Sequence, residues 1–228
     1  MTAPLASPCP TAFTSAASVS QHPVVQHNLA ILRDVATPPE AFRTAMRRVA
    51  TVLMTDATQH LPTAPQSVQT PITTTTVQQL CPQTPLVIVP ILRAGLSFAD
   101  VALDVLPMAH VFHLGLYRDE TTLQPVTYYN KLPASFPYGQ AQVFLLDPML
   151  ATGGSAIAAI EVLLGLGVPE AAITFVCLLA SPEGVALVAQ RFPQVRLVTA
   201  AVDDCLNDKG YIVPGLGDAG DRTFATAG

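Results

Sequence analysis

VFLLDPMLATGGSAIAAIEVLLGLG, residues Val143 to Gly167, carries in one uninterrupted run an apolar strand, an acid at its end, a glycine turn and a helix. Val143 to Leu146 is an apolar run that reads as a fully buried strand, and Gly153 to Leu166 has the length and composition of a helix closed by Gly167 as its C-cap. A strand that passes through a tight turn into a helix is the repeating unit of α/β folds with a parallel sheet. Outward from this unit, Leu86 to Ile91, Val111 to Leu116, Ile173 to Leu179 and Leu197 to Val202 are apolar, β-branched-rich runs without alternation, the pattern of strands buried on both faces. Helices are predicted at Ser97 to Val105 and at Ser181 to Phe192, the second opened by the cap Ser181 and by Pro182. The expected fold is α/β, a doubly wound, mostly parallel sheet flanked by helices. Ligands bind such sheets beyond the carboxyl ends of the strands, so Arg93 to Gly95, Tyr117 to Arg118, Asp147 to Ser155 and the segment from Asp203 onward should meet in one cleft.

Toward the N-terminus, Thr37, Pro38, Pro39 and Glu40 supply an N-cap, two early prolines and a capping-box acid, and Phe42, Ala45, Met46, Val49, Val52 and Leu53 follow at helical spacing. Ala57 to Leu92 holds no formal charge, and Thr, Pro and Gln dominate up to Pro85, so residues 57–85 are expected to form a flap or hood subdomain of loop with short edge strands. Residues 1–21 read as a disordered Ala/Ser/Thr/Pro-rich tail, and residues 22–228 as one domain.

The 228 residues are enough for a core that needs no disulfide or metal staple. With 50% hydrophobic and 12% charged residues, the chain is not of the disordered class. No apolar run is long enough to span a bilayer. A net charge of −5 argues against a broad electrostatic surface for nucleic acid or anionic lipid, so an anion must be held locally. The cysteines show no close pairing, and the first charged residue is Arg33, so neither a basic signal segment nor an arginine-rich transit peptide opens the chain. A reducing cytoplasm is the expected compartment.

Asp147 to Ser155, DPMLATGGS, is an anion site built from backbone. Gly153 and Gly154 let the chain approach a phosphate, Thr152 and Ser155 offer hydroxyls, and the helix N-terminus offers unpaired N–H groups. No lysine follows the glycines, which excludes a Walker loop, and GxGxxG is absent. An isolated TGGS turn is more often a helix cap packed through its glycines than a phosphate site. Asp147 shifts the balance, because an acid six residues ahead of Gly153 is suited to accept hydrogen bonds from the hydroxyls of a sugar whose phosphate lies in the turn. Arg93 and Arg118 each follow a buried strand or its edge, where a cation is costly unless an anion meets it, although Arg118 has Asp119 and Glu120 beside it as alternative partners. His110 and His113 are three apart on a strand and face opposite ways, so they form no ligand pair.

DPMLATGGS resembles the phosphoribosyl diphosphate motif of type I phosphoribosyltransferases in the form carried by the uracil phosphoribosyltransferase family. VPILRAG at Val89 to Gly95, LYRDETTLQPV at Leu116 to Val126, SPEG at Ser181 to Gly184 and GYIVPGLGDAGD at Gly210 to Asp221 agree with that family in order and spacing, over about Gln26 to Phe224. Pro148 stands where most type I relatives carry a second acid, as it does in the uracil enzymes. Departures fall at Asn28, where many members have Lys, and at Met54 to Thr58.

The resemblance implies a type I phosphoribosyltransferase fold and conversion of uracil and 5-phospho-α-D-ribose 1-diphosphate to UMP and diphosphate. It puts the phosphoribosyl diphosphate on Arg93, Arg118, Asp147, Pro148, Met149, Leu150, Ala151, Thr152, Gly153, Gly154, Ser155 and Asp218. It puts uracil on Val213, Gly217, Asp218 and Ala219, with Asp147, Arg93 and Arg118 as the catalytic set. It also implies Mg²⁺ carried mainly by the diphosphate with no dedicated protein metal site, a homodimer or higher homo-oligomer and, as in parts of the family, a GTP effector. Two rivals remain open at this point: a pyrimidine-responsive RNA-binding regulator on the same fold, which the charge balance disfavours, and a phosphoribosyltransferase for another base.

Overall fold

Leu86–Leu92 (β4) is buried along all but its last residue and lies inside the sheet, as its unbroken apolar run requires. The computed structural model describes residues 17–118 and 125–226; most of the predicted tail, and positions 119–124 of the LYRDETTLQPV segment, lie outside the described residues. In chain order the elements are β1 (Ser18–Val19), α1 (Pro23–Arg33), α2 (Pro39–Thr58), β2 (Thr63–Gln69), β3 (Thr74–Leu80), β4 and α3 (Leu96–Val105). There follow β5 (His110–Val111), β6 (Leu114–Arg118), β7 (Pro125–Asn130), β8 (Gln142–Leu146), β9 (Met149–Leu150) and α4 (Gly154–Gly165). The chain ends in β10 (Ile173–Ala180), α5 (Pro182–Arg191), β11 (Arg196–Val202), β12 (Cys205–Leu206), β13 (Ile212–Val213) and α6 (Ala219–Phe224).

The main sheet runs β1-β11-β10-β8-β4-β6-β7, with β5 beside β4 and β9 beside β10. Its pairings are parallel except for the β6–β7 hairpin at one edge. Taken in chain order, the five long parallel strands β4, β6, β8, β10 and β11 stand in the order 2-1-3-4-5, so the direction of winding reverses between β4 and β8. Alternate residues of each strand feed two cores. Ile88, Phe144, Val176 and Val198 pack with Phe42, Met46, Leu53 and Phe98 of α2 and α3 on one face. Val89, Leu145, Phe175 and Leu197 pack with Ile160, Leu163 and Val185 of α4 and α5 on the other.

Three local expectations need correction. The predicted tail ends earlier than Gln21, because Ser18 and Val19 pair with Val198 and Thr199 at the sheet edge. Thr37 does not cap α2: its hydroxyl donates to the Ile31 carbonyl at 2.6 Å, and Pro38 takes the N-cap position without a side-chain bond. The strand expected over Val111 to Leu116 is two pieces, β5 and β6. Residues 57–85 hold an antiparallel hairpin, β2 with β3 in continuous register from Thr63↔Leu80 to Gln69↔Thr74, and its first residues, through Thr58, still belong to α2.

Candidate active site

The crevice lies at the reversal of winding, between the loop after β4 and the loop after β8. At Gly95 a Cβ atom would come within 2.4 Å of the Leu146 carbonyl oxygen and 2.6 Å of Ile91 backbone atoms, so only glycine lets the first loop lie against the end of β8. The Leu92–Arg93 peptide is cis. Arg93 stands at the mouth, its side chain 61% exposed and its Nη2 3.6 Å from Oδ1 of Asp221. An ion pair this long and this wet is weak, leaving the guanidinium available to a stronger anion. Arg118 closes β6 on the far side of β4, opposite Pro125.

Beyond β8 the chain does not turn away at once. The Asp147 N–H donates to Val176, and Leu178 and Leu179 donate to the Pro148 carbonyl, so β9 resumes the pairing with β10 before the turn begins. Pro148 and Leu150 are consequently buried. Asp147 is half-buried at the floor of the crevice, and Met149 N–H lies 3.4 Å from its Oδ1. Burial pushes its carboxyl up to about 7, with the Asp218 carboxylate adding to the rise and the Met149 N–H opposing it. Gly153 has φ +83 and is the N-cap of α4, a left-handed conformation that suits glycine.

Two hollows meet at Asp147. One, of about 170 Å³, is lined by Asp147 and by Met149 through Ala156, with Gly210 at its rim. The other, of about 260 Å³, is lined by Ala94, Asp147, Tyr211, Ile212 and Gly217 through Gly220. Asp147, Met149, Ala151 and Gly210 border both. The structure therefore brings together the predicted phosphate turn, Asp147, Gly217, Asp218 and Ala219. Val213 does not line the second hollow; Tyr211 and Ile212, from the same GYIVPG segment, do. Asp218 caps α6, its Oδ1 accepting from Asp221 N–H at 2.8 Å.

Sequence reading named Ser181 as a helix cap but missed its hold on the phosphate turn, and it missed Arg33 and Arg222 as anchors of these loops. The Ser181 hydroxyl donates to the Ala151 carbonyl at 2.6 Å and accepts from Gly184 N–H at 2.9 Å, pinning the phosphate turn to the start of α5. Arg33, at the end of α1, donates to both oxygens of Asp203 at 2.8 and 2.6 Å and to the Gly215 carbonyl at 2.9 Å. Arg222 donates to the carbonyls of Leu32, Leu216 and Asp34, with its guanidinium 4.4 Å from the Phe42 ring centroid. Among the described residues no group of three or more His, Cys, Asp and Glu side chains is placed to hold a metal ion.

A 2-1-3-4-5 sheet with an acid, a glycine turn and a helix N-terminus at its reversal is the architecture of the type I phosphoribosyltransferases. Adenine phosphoribosyl transferase from Trypanosoma brucei, solved with AMP, pyrophosphate and ribose-5-phosphate, shares the fold with a TM-score of 0.52 over 88% of this chain and 87% of its own, at 12% identity. The chain belongs to the uracil phosphoribosyltransferase family, whose model matches residues 19–226. It is 52% identical over 208 residues to the uracil phosphoribosyltransferase of Roseiflexus sp. strain RS-1, covering 91% of this chain and 97% of that protein. It is 49% identical to that of Dictyoglomus thermophilum, covering 91% and 98%. Among solved structures, the AQ2163 protein from Aquifex aeolicus superposes with a TM-score of 0.84 at 37% identity, covering 92% of this chain and 98% of its own.

Proposed function

We infer that this chain joins uracil to 5-phospho-α-D-ribose 1-diphosphate, giving UMP and diphosphate, as an enzyme of pyrimidine salvage. The observation that carries the reading is the pair of hollows sharing Asp147 as their common wall, one suited to a phosphorylated sugar and the other to a small flat base. In the reaction N1 of uracil forms a bond to the anomeric carbon as the bond from that carbon to the diphosphate oxygen breaks. The electron pair leaves on diphosphate and the N1 proton is released. No enzyme nucleophile is needed, so positioning and charge suffice.

The residues divide that work by place. The Thr152 to Ser155 turn, with the N-terminus of α4 behind it, holds the 5-phosphate. Asp147 accepts from the ribose hydroxyls, and its ionised form complements the positive charge that develops on the sugar. Arg93 and Arg118 meet the diphosphate. Backbone groups of Tyr211, Ile212 and Gly217 to Ala219, which line the second hollow, read the base edge.

Asp147 and Asp218, close enough for one carboxylate to raise the other, form a donor set that fits a hard divalent cation held mostly by substrate oxygens. Those two residues would hold Mg²⁺, which when bound supplies charge neutralisation on the diphosphate. A second copy of this chain is the proposed partner of the β2–β3 hairpin, whose strands pair only with each other among the assigned ladders of the described residues. Among the described residues Cys81, Cys177 and Cys205 are unbridged, in keeping with a cytoplasmic site of action, and no helix is long and apolar enough to cross a membrane. GTP as an effector is carried by the family resemblance alone.

The test is product formation from labelled uracil with and without the phosphoribosyl donor, extended to 5-fluorouracil, cytosine and hypoxanthine. Uracil and 5-fluorouracil present the same acceptor, donor, acceptor edge, whereas cytosine sets like groups against the loop, a mismatch worth on the order of 10⁴ in kcat/KM. Comparable use of cytosine, or a preference for hypoxanthine, overturns the base assignment.

A further inference from the structure

We propose that Arg33 and Asp203 are positioning residues for the base: together they fix the backbone of Gly215, and through it the Ile212 to Gly217 wall of the base hollow. The inference rests on reading that hollow as the uracil site.

Three parts of the molecule meet at this pair. Asp203 directly follows β11 and is held to the sheet, its N–H donating to the Ala180 carbonyl at 2.9 Å. Arg33 is the last residue of α1. Gly215 belongs to the base loop, and both of its backbone groups are taken: its N–H donates to Oδ2 of Asp203 at 2.8 Å, and its carbonyl accepts from Nη1 of Arg33 at 2.9 Å. The peptide on either side of this residue is therefore tied to a rigid sheet and to a helix. The turn itself admits no other residue, since φ at Gly215 is +60 and a Cβ there would lie 2.1 Å from the Ile212 carbonyl oxygen.

The energetics argue for position rather than for stability. The Asp203 side chain is 4% exposed and that of Arg33 28%. Burying an ion pair to this degree costs desolvation that the attraction barely returns, and apolar replacements of similar volume often stabilise a fold as well. A bidentate pair does what apolar packing cannot: the guanidinium and carboxylate planes fix direction, and each still has a group left for the same glycine. The contact leads directly to the hollow, because Ile212 and Gly217, three residues before and two after Gly215, both line it. Arg222 holds the next carbonyl, that of Leu216, and also the Leu32 and Asp34 carbonyls at the end of α1, so the same helix end anchors two consecutive loop residues. None of these three side chains borders the phosphate turn.

The experiment compares Arg33→Ala, Arg33→Lys and Asp203→Asn with the parent enzyme, measuring KM for each substrate, kcat and melting temperature. A positioning role predicts a rise in uracil KM of about tenfold or more with the KM for phosphoribosyl diphosphate within about twofold. Arg33→Lys should recover only part of the loss, because a point charge cannot reach Asp203 and Gly215 in one plane. Millimolar guanidinium chloride should restore uracil KM in Arg33→Ala by entering the space between Asp203 and Gly215, while sodium chloride at equal ionic strength should not. Equal losses for both substrates, unchanged uracil KM in a folded variant, or no guanidinium rescue each overturns the proposal. If even Arg33→Lys fails to fold, the pair serves folding and the proposal is also overturned. A parent enzyme that forms no UMP from uracil would instead refute the assignment of the hollow itself.

Discussion

Asp147 has apolar strand on one side and a second carboxylate on the other, and both favour its proton. A carboxyl raised to about 7 in the folded chain, against an ordinary value near 4 in the unfolded chain, makes ionisation more costly after folding than before it. The native state then binds more protons between those values, so Asp147 lowers stability progressively as pH climbs from about 4 to about 7, with the full penalty above. Asp147→Asn removes the charge and keeps an acceptor for Met149 N–H. The variant should be more stable than the parent at pH 8, by about 2 kcal/mol after allowing for the partly exposed carboxylate, and equal to it at pH 4. Its turnover should fall at both. Thermal melts of the two proteins across this range are the check, and a variant that melts lower at pH 8 would mean that the carboxylate supports the loop rather than straining it.

At the scale of elements, the phosphate turn depends on the start of α5, its neighbour in space but not in sequence. A Cβ on Gly184 would meet the Ala151 carbonyl oxygen at 2.4 Å and that of Leu150 at 2.9 Å, both backbone atoms that cannot swing aside. Gly184→Ala should therefore push α5 off the turn, costing about 1 to 3 kcal/mol and raising the KM for phosphoribosyl diphosphate more than that for uracil. Gly165→Ala, at the end of α4 with nothing within 4 Å of the added carbon, is the control and should gain about 0.5 to 1 kcal/mol. Denaturant melts with substrate kinetics distinguish the two. The SPEG segment was legible in the sequence as a cap and a motif, but not as a clamp, because nothing local says which carbonyl a capping serine also reaches. Helix α1 was not read as a helix: Pro23–Arg33 has no acid in its first turn and is capped by His22 rather than by a usual N-cap residue. The β2–β3 hairpin was legible only as short edge strands within a flap, since TTTVQQL shows no apolar face and its residues are mostly exposed. The buried strands β4, β8, β10 and β11, by contrast, were read to within a residue or two, because burial on both faces leaves only apolar choices.

Across the whole molecule, the residues of the candidate site were legible as separate motifs and the framework behind them was not. Arg33 and Asp203 are 170 residues apart, and no spacing rule joins them. The same holds for the far sheet edge, where a segment without helical or strand periodicity becomes β1 because β11 offers it an open ladder. Ser18 and Val19 pair with Val198 and Thr199, and Ser20 N–H donates to the Thr199 carbonyl at 2.9 Å. This short strand keeps β11, and hence Asp203 directly after it, from ending the sheet as an exposed edge. A chain starting at Ala17 should match the full-length protein in melting temperature and kcat/KM, because it keeps every one of these bonds. One starting at Gln21 loses them, at about 1 to 2 kcal/mol, and should melt about 2 to 8 °C lower. It should also show more association by light scattering as the edge of β11 becomes free to pair with another copy. Identical melting of the two truncations would mean that β1 adds nothing to the sheet, whereas an activity loss confined to the longer truncation would trace its contribution through β11 to the base loop.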